Sequence, residues 1–145
     1  MFLGEYEHNL DAKGRLIVPA KFREALGEKF VLSIGFDGCL YIYPEEEWKK
    51  FDEKLDALPM TNAKARQLTR LFRGNADYVE IDKQGRFMVR EKLRNYAGIT
   101  KTAVFVGHSN KIELWSKEKY EECFEVSGIK MDNLADSMED QGFIF

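Results

Sequence analysis

Apolar residues in this chain fall in short runs, such as Leu16 to Val18 and Ala103 to Val106, broken by polar turn residues. Runs of this length, rich in Val, Ile and Phe, predict short strands. The first part of the chain reads as strands over 5–10 and 15–18, a short helix over 19–26 and a hairpin of 30–36 and 39–43. Asp37-Gly38, between the hairpin strands, is a strong two-residue turn signal. Pro19 suits the first helical position, where a missing N–H costs nothing, and Gly27 suits the left-handed position past the helix. Trp48, Phe51, Leu55 and Leu58 then recur at helical spacing. They predict a helix over 44–58, with Glu45/Lys49 and Glu46/Lys50 pairing on its outer face. Another helix is expected over 61–73, with Thr61 as N-cap and Gly74 just past its end. Its apolar stripe, Ala65, Leu68, Leu71 and Phe72, is accompanied by Lys64, Arg66, Arg70 and Arg73 and by no acid.

The pattern then begins again. Residues 9–23 return as 80–94, at an offset of 71 positions, with Asp11, Gly14, Arg15 and Val18 answered by Asp82, Gly85, Arg86 and Val89. Lys21, Arg23 and Gly27 are answered by Lys92, Arg94 and Gly98. One inserted residue later Gly35 and Trp48 face Gly107 and Tyr120. The second copy reads as strands over 77–81 and 86–89, a helix over 90–97, a hairpin of 102–107 and 111–115 turning at Ser109-Asn110, and a closing helix over 116–125. A module of about 45 residues is too small to build a sufficient core alone. The two copies are therefore expected to interlock about a pseudo-twofold axis. The boundaries read as a first repeat over 5–47, connecting helices over 48–75, a second repeat over 76–119 and an acidic C-terminal helix or tail over 120–145. The fold class is α+β, mostly β.

The chain has 145 residues, 44% of them hydrophobic and 32% charged, which is a globular composition. No apolar run approaches the roughly twenty residues of a membrane-spanning helix. The N-terminus has neither the basic region nor the long apolar stretch of a secretory signal, so a cytoplasmic location is expected. Cys39 and Cys123 form no CxxC pair, and His8 and His108 stand in no metal-ligand spacing. No metal or cofactor is expected. Gly98 to Thr102 resembles only the end of a phosphate-binding loop. Nothing pairs a nucleophile with a base, so an enzyme is not expected. The acidic tail does not have the spacing of a calcium-binding loop and reads as a solvated segment. The formal net charge is −3, but residues 1–115 carry net +2 and residues 116–145 net −5. The acidity lies in the tail, and a local basic surface stays open to an anionic partner.

The DxxGR turns are where such a surface would form. Aspartate at the first position caps backbone N–H groups further along, and glycine at the fourth supplies positive φ. Structure alone explains both. The arginine has two readings: it folds back to stiffen the hairpin, or it reaches outward to an anionic partner. Lys13, Lys21 and Arg23 in the first copy, and Lys83, Arg90, Lys92 and Arg94 in the second, add charge around it. A two-stranded ribbon fits the DNA major groove, and arginine suits bidentate contact with phosphate or guanine. The candidate DNA contacts are thus Arg15, Arg86, Lys13, Lys83, Lys21, Arg23 and Arg90, supported by Asp11, Gly14, Asp82 and Gly85. Arg15 is favoured over Arg86 as the reader, because its turn holds Lys13 where the second has Gln84.

The duplicated DxxGR, the opening MFLGEYEHNLDAKGRLIVPAKFRE and the stretch from Phe105 to Trp115 resemble the MraZ family of bacterial proteins, over essentially the whole chain. Each repeat resembles a SpoVT-AbrB domain, the swapped-hairpin DNA-binding module also found in AbrB regulators and MazE-type antitoxins. The resemblance implies a pseudo-dimeric, barrel-like unit of two swapped-hairpin repeats with short peripheral helices. It implies closed ring oligomers, found in the cytoplasm and on the nucleoid. It further implies a transcriptional regulator of the division and cell-wall gene cluster, binding short direct repeats in double-stranded DNA upstream of its own gene, with repression the expected sense. The family's DxxxR motif falls on Asp11 and Arg15 and again on Asp82 and Arg86, the arginine being the DNA-contacting member. Arg90 stands where the first copy has Pro19. The alternative from a different class is a non-catalytic, antitoxin-like interaction module. Its binding segment would be the tail, with Met131, Leu134, Met138, Phe143, Ile144 and Phe145 among acids.

Overall fold

The computed structural model describes residues 1–123 and 130–144. In chain order the elements are β1 (Glu5–Asn9), β2 (Arg15–Ile17), α1 (Ala20–Leu26), β3 (Lys29–Ile34), β4 (Leu40–Pro44), α2 (Glu45–Asp56), α3 (Ala63–Gly74), β5 (Asp77–Glu80), β6 (Arg86–Met88), α4 (Glu91–Ala97), β7 (Thr102–His108), β8 (Lys111–Ser116), α5 (Lys117–Glu121) and α6 (Met131–Asp140). The repeated sequence folds into a repeated run of elements, β1-β2-α1-β3-β4 and then β5-β6-α4-β7-β8.

Neither copy closes on itself. The six-stranded sheet has the order β1-β7-β8-β4-β3-β5, and β2 pairs with β6 in a separate ribbon. Thus β1 lies along β7 of the other copy, and β5 lies along β3. All the neighbours are antiparallel. The order reads the same from either edge when each strand is exchanged for its repeat counterpart. The expected interlocking follows: each repeat lends its first strand to the sheet edge of the other. A hairpin left alone would be marginal, whereas exchange buries both apolar faces against one core.

That core lies between one face of the sheet and the ribbon with α1 and α4. Phe30, Leu32, Ile42, Phe105 and Leu114 come from the sheet, Leu16 and Phe87 from the ribbon, and Phe22 and Leu93 from the helices. Phe87 makes edge-on contacts with Phe30 and Phe105, at centroid separations of 5.3 and 6.2 Å. On the opposite face Cys39, Tyr41, Tyr43, Val104 and Trp115 form a smaller cluster beneath Trp48, Phe51 and Tyr120. Burial there pushes the Cys39 thiol up to about 12, the pKa of a packing residue rather than a reactive one.

The turn chemistry follows the sequence with local differences. Asp37 and Gly38 both take positive φ, but the connection is longer than the expected two-residue turn: Ile34 faces Leu40 and the Gly35 N–H donates to the Cys39 carbonyl, so Phe36, Asp37 and Gly38 span the loop as a short 3-10 turn. Gly98 is left-handed, but Gly27 pairs its positive φ with an extended ψ of −178°. Pro19 is the N-cap of α1 rather than its first helical residue, since its ψ of 133° is still extended. Asn62, not Thr61, caps α3, its side-chain oxygen accepting from the Ala65 N–H at 3.1 Å. Gly74 lies inside α3, and Asn75 ends the helix by donating from Nδ2 to the Leu71 carbonyl at 2.8 Å. The outer ion pairs of α2 are Glu46–Lys49 and Glu47–Lys50, one position closer than expected, because neighbours at both three and four positions share a helix face. Ser116 caps α5; the end expected for this helix, at Glu125, lies outside the described residues.

Candidate nucleic-acid interface

Asp11 opens the first turn. Its Oδ1 accepts from the backbone N–H groups of Lys13 and Arg15, both at 2.9 Å, and its Oδ2 accepts from Arg15 Nε at 2.7 Å. The main chain closes the same turn, with the Asp11 N–H donating to the Arg15 carbonyl and the Gly14 N–H to that of Asp11. Gly14 has φ +83°. The second turn copies this arrangement atom for atom. Asp82 accepts from the N–H groups of Gln84 and Arg86 at 2.9 Å and from Arg86 Nε at 2.7 Å. The backbone hydrogen bond from Arg15 is the main cause holding the Asp11 carboxyl below the usual carboxylate range; desolvation, the next largest effect, opposes it, and the Arg15 side chain and the Lys13 N–H add to the lowering. Arg86 does the same for Asp82.

Of the two dispositions open to the arginines, the structure shows the folded-back one. The bond uses Nε alone, so the Nη groups of Arg15 and Arg86 remain without a hydrogen-bonding partner among the described residues. The guanidinium is both anchored and available: one edge is held by the turn, and four of its five donors are left over. The side chains are 25% and 28% exposed.

The β2–β6 ribbon sets where these groups point. Leu16 and Phe87 turn inward and are fully buried, so by strand alternation Arg15, Ile17, Arg86 and Met88 share the outer face. Arg15 stands opposite Met88 and Ile17 opposite Arg86. The two arginines are thus diagonal neighbours, roughly 7–8 Å apart at the backbone. Ile17 and Met88 are half-exposed between them. Sequence reasoning did not single these two out, although the inward Leu16 and Phe87 imply by period two that their neighbours face out.

The two copies also brace each other's turns. The Gly85 carbonyl accepts from the Val18 N–H at 2.9 Å, and the Gly14 carbonyl accepts from the Val89 N–H at 2.9 Å. Arg23, on α1, lies against Gly85 of the second turn, and Arg94, on α4, lies against Gly14 of the first. Arg23 Nε also donates to the Val18 carbonyl at 3.0 Å. Burial and the nearby Arg23 charge hold the His8 imidazole below its ordinary pKa.

The remaining candidates are placed unequally. Lys13 and Lys83 are exposed on the two turns, and Lys21 is exposed on α1. Arg23 is partly committed to its brace. Arg90 precedes α4 and pairs through Nε with Asp77 at 3.3 Å, which draws it toward β5. Among the described residues no group of three or more His, Cys, Asp or Glu could hold a metal ion, and no helix is long and apolar enough to cross a membrane. What the arrangement offers chemically is a two-stranded ribbon, packed on the core by its inner face, whose outer face carries anchored, donor-rich guanidinium groups with apolar contacts beside them.

A protein-family comparison returns the same duplication. The family described as "MraZ protein, putative antitoxin-like" matches residues 1–71 and again residues 72–142, spans that begin 71 positions apart. Relatives match from end to end. A protein of Lachnoclostridium phytofermentans named transcriptional regulator MraZ is 52% identical over 145 residues, all of both chains. One of the same name from Clostridium beijerinckii is 51% identical over 98% of this chain and 99% of its own. A third, from a Thermoanaerobacter species, is 49% identical over 97% and 98%. With both repeats matched and half of all residues identical over whole chains, this chain belongs to the MraZ family.

Proposed function

We propose that this chain is a sequence-specific DNA-binding transcriptional regulator, working as a repressor, and that the β2–β6 ribbon with its two DxxGR turns is the reading element. The observation that carries the proposal is the outer face of that ribbon. It presents Arg15 and Arg86 diagonally, each held by its aspartate through Nε, with the remaining donors without a partner among the described residues. A two-stranded ribbon is narrow enough for the major groove, where guanine offers two acceptors to one guanidinium and thymine offers a methyl group. Anchoring matters because it lowers the conformational entropy lost on binding. Lys13, Lys83 and Lys21 would contact phosphates, and Arg23 would do so from its brace; Arg90 has first to leave Asp77. The full-length relatives named transcriptional regulators support the reading.

The finer features are part of the same proposal. The targets would be short direct repeats upstream of the chain's own gene, in the division and cell-wall cluster, read by a closed ring in the cytoplasm and on the nucleoid. The repeat at 5–47, the connecting helices at 48–75, the repeat at 76–119 and the tail at 120–145 would be its working parts. The net charge of −3 makes non-specific attraction weak. A ring that presents several ribbons to adjacent repeats raises their effective concentration and offsets that weakness.

The test is a salt titration of binding to duplex DNA carrying those direct repeats, with wild type beside Arg15→Ala and Arg86→Ala. Tight binding that falls steeply with salt and is lost in either variant is the expected result. Unchanged affinity in both variants, with the fold intact, would refute the ribbon as reader. A folded wild-type protein that binds no DNA at low salt would instead favour the protein-interaction module.

A further inference from the structure

On the face of the sheet opposite the ribbon, a groove of about 360 Å³ runs between the end of α2, residues 57–60 and α3. Leu55, Leu58, Pro59 and Met60 line its apolar side, Arg66, Arg70 and Arg73 its basic side, and Asp56 lines it as the ion-pair partner of Arg73. Arg73 is engaged with Asp52 and Asp56, at 2.6 and 2.7 Å. Arg66 uses Nη1 on the Met60 carbonyl, and its other donors have no partner among the described residues. Arg70 makes no hydrogen bond or ion pair among the described residues. The α3 segment carries no acid to offset these charges.

α6 has the complementary form. At 3.6 residues per turn Met131, Leu134, Ala135 and Met138 fall on one stripe. Asp132, Asp136 and Glu139 fall along one flank of it, while Asn133 and Ser137 occupy the other. No residue from Met131 to Asp140 is a cation, and none is buried; Met131 is 80% exposed and Leu134 53%. A ten-residue helix with an uncovered apolar stripe is marginal in water unless something packs on it.

We propose that α6 of one copy of this chain docks in the α2–α3 groove of a second copy. Its apolar stripe lies on Leu58, Pro59 and Met60, over the buried Leu55, and its acidic flank faces Arg66 and Arg70. With Asp56 neutralised by Arg73, the charge left over on each element lies on one side of its apolar surface, so one way of laying the helix brings opposite charges together and the other does not. The lengths agree: ten and twelve residues make helices of about 15 and 18 Å. A second copy is the occupant because α6 stands outside its own chain's groove, none of whose lining residues belongs to it. The contact is head-to-tail, since each copy offers one helix and one groove, and repeating it either closes a ring or extends a chain. This deepens the ring assembly proposed above and is independent of DNA reading by the ribbon. Loss of docking leaves Arg15 and Arg86 in place, and their loss leaves docking in place.

The test is amide hydrogen exchange of α6 in the full-length protein, with two double variants. The groove variant is Arg66→Glu with Arg70→Glu; the tail variant is Asp132→Lys with Asp136→Lys. Wild-type α6 amides should be protected at high protein concentration and lose protection on dilution. Either variant alone should show at least tenfold less protection. An equimolar mixture of the two should recover it, because the acidic helix of one meets the basic groove of the other and the reversed pair also matches. The tail variant alone reads the loss should the groove variant fail to fold. Protection unaffected by dilution or by either variant overturns the proposal, as does an unprotected α6 in wild type. A mixture that recovers nothing overturns docking in a second copy.

Discussion

Leu16 stands directly opposite Phe87 in the β2–β6 ribbon, and the two are counterparts in the repeat, 71 positions apart. In the sheet Tyr41 likewise stands opposite Glu113, its counterpart after the inserted residue. A strand pair whose central residues are equivalent to each other has the pseudo-twofold axis running between them. The axis therefore passes through the middle of the ribbon, midway between Arg15 and Arg86, and through the β4–β8 seam. Counterparts need not be identical at the axis: a large Phe and a smaller Leu share one space there, and Phe87 fills most of it.

Phe87→Ala should accordingly be among the most damaging core substitutions. The ring is buried and touches Phe30 and Phe105, so its loss leaves a cavity that Leu16 cannot fill. The expected cost is about 3–5 kcal/mol. Denaturant unfolding of the pure protein measures it. A loss below about 1 kcal/mol would mean that the ribbon does not seal the core.

Much of this was legible in the residues. The duplication is written in Asp11, Gly14 and Arg15 and their counterparts, because a tight turn admits few residue types and so leaves the same signature twice. Most strands and helices follow from short apolar runs and helical spacing. The exchange of β1 and β5 between copies was not legible from pattern, since alternation says which face of a strand is buried and not which strand lies beside it. It entered through the resemblance to swapped-hairpin proteins. The folded-back arginines were one of two open readings, because sequence cannot choose a rotamer. Arg23 read as a surface cation, yet it sits on the turn of the other copy, a contact that exists only after the exchange. Thr61 and Asn62 are both good caps, and local pattern does not rank them.

The turn glycines yield a prediction that separates backbone strain from crowding. A Cβ on Gly85 would sit 2.8 Å from the Arg23 guanidinium carbon, at a φ of +77°. The crowding can be relieved, because the end of a long side chain can swing away. The backbone strain cannot, and a left-handed non-glycine residue costs roughly 1–2 kcal/mol. Gly85→Ala should therefore destabilise the protein by about that amount and displace Arg23 from the Val18 carbonyl. The Arg23 side-chain Nε resonance in NMR reports the displacement. A stable variant with Arg23 still in place would contradict the contact.

The clamp on the arginines should be insensitive to mild acid. Asp11 and Asp82 have lowered pKa values when folded, principally through the backbone hydrogen bonds from Arg15 and Arg86. A depressed carboxyl stabilises the fold fully above its unfolded pKa, and loses that contribution as pH falls through the folded value. The turns should stay closed from neutral pH down through the ordinary carboxylate range, near 4, and open only below it. The N–H chemical shifts of Arg15 and Arg86, followed against pH, check this. A midpoint at or above about 4 would show that the carboxylates are not held as described. Asp11→Asn should weaken DNA binding in the same direction as loss of Arg15, by releasing the guanidinium rather than removing it.

Gly107 and Gly35 are repeat counterparts put to different use, and the difference predicts unequal responses. A Cβ on Gly35 would meet the Tyr41 ring, whereas one on Gly107 would meet the backbone of the N-terminal segment, 2.6 Å from both Leu3 Cα and the Phe2 carbonyl carbon. That segment is tied down beside it: the Gly107 N–H donates to the Gly4 carbonyl at 2.8 Å, and Phe2 and Ser109 exchange hydrogen bonds at 2.8 and 3.0 Å. Phe2 is buried against Phe22, their centroids 5.4 Å apart. No side-chain rotation relieves a clash with main chain, so Gly107→Ala should lift the segment and draw Phe2 out of the core. The cost should approach that of deleting the ring, about 3 kcal/mol or more. Gly74→Ala is the control: nothing lies within 4 Å of its Cβ and it sits in α3, where alanine is favoured by roughly 0.5–1 kcal/mol. Denaturant unfolding of the two variants, with exchange of the Phe2 and Ser109 amides, should show opposite shifts in stability and lost protection only in Gly107→Ala. Equal stability in the two would mean that the N-terminal segment is not part of the folded core.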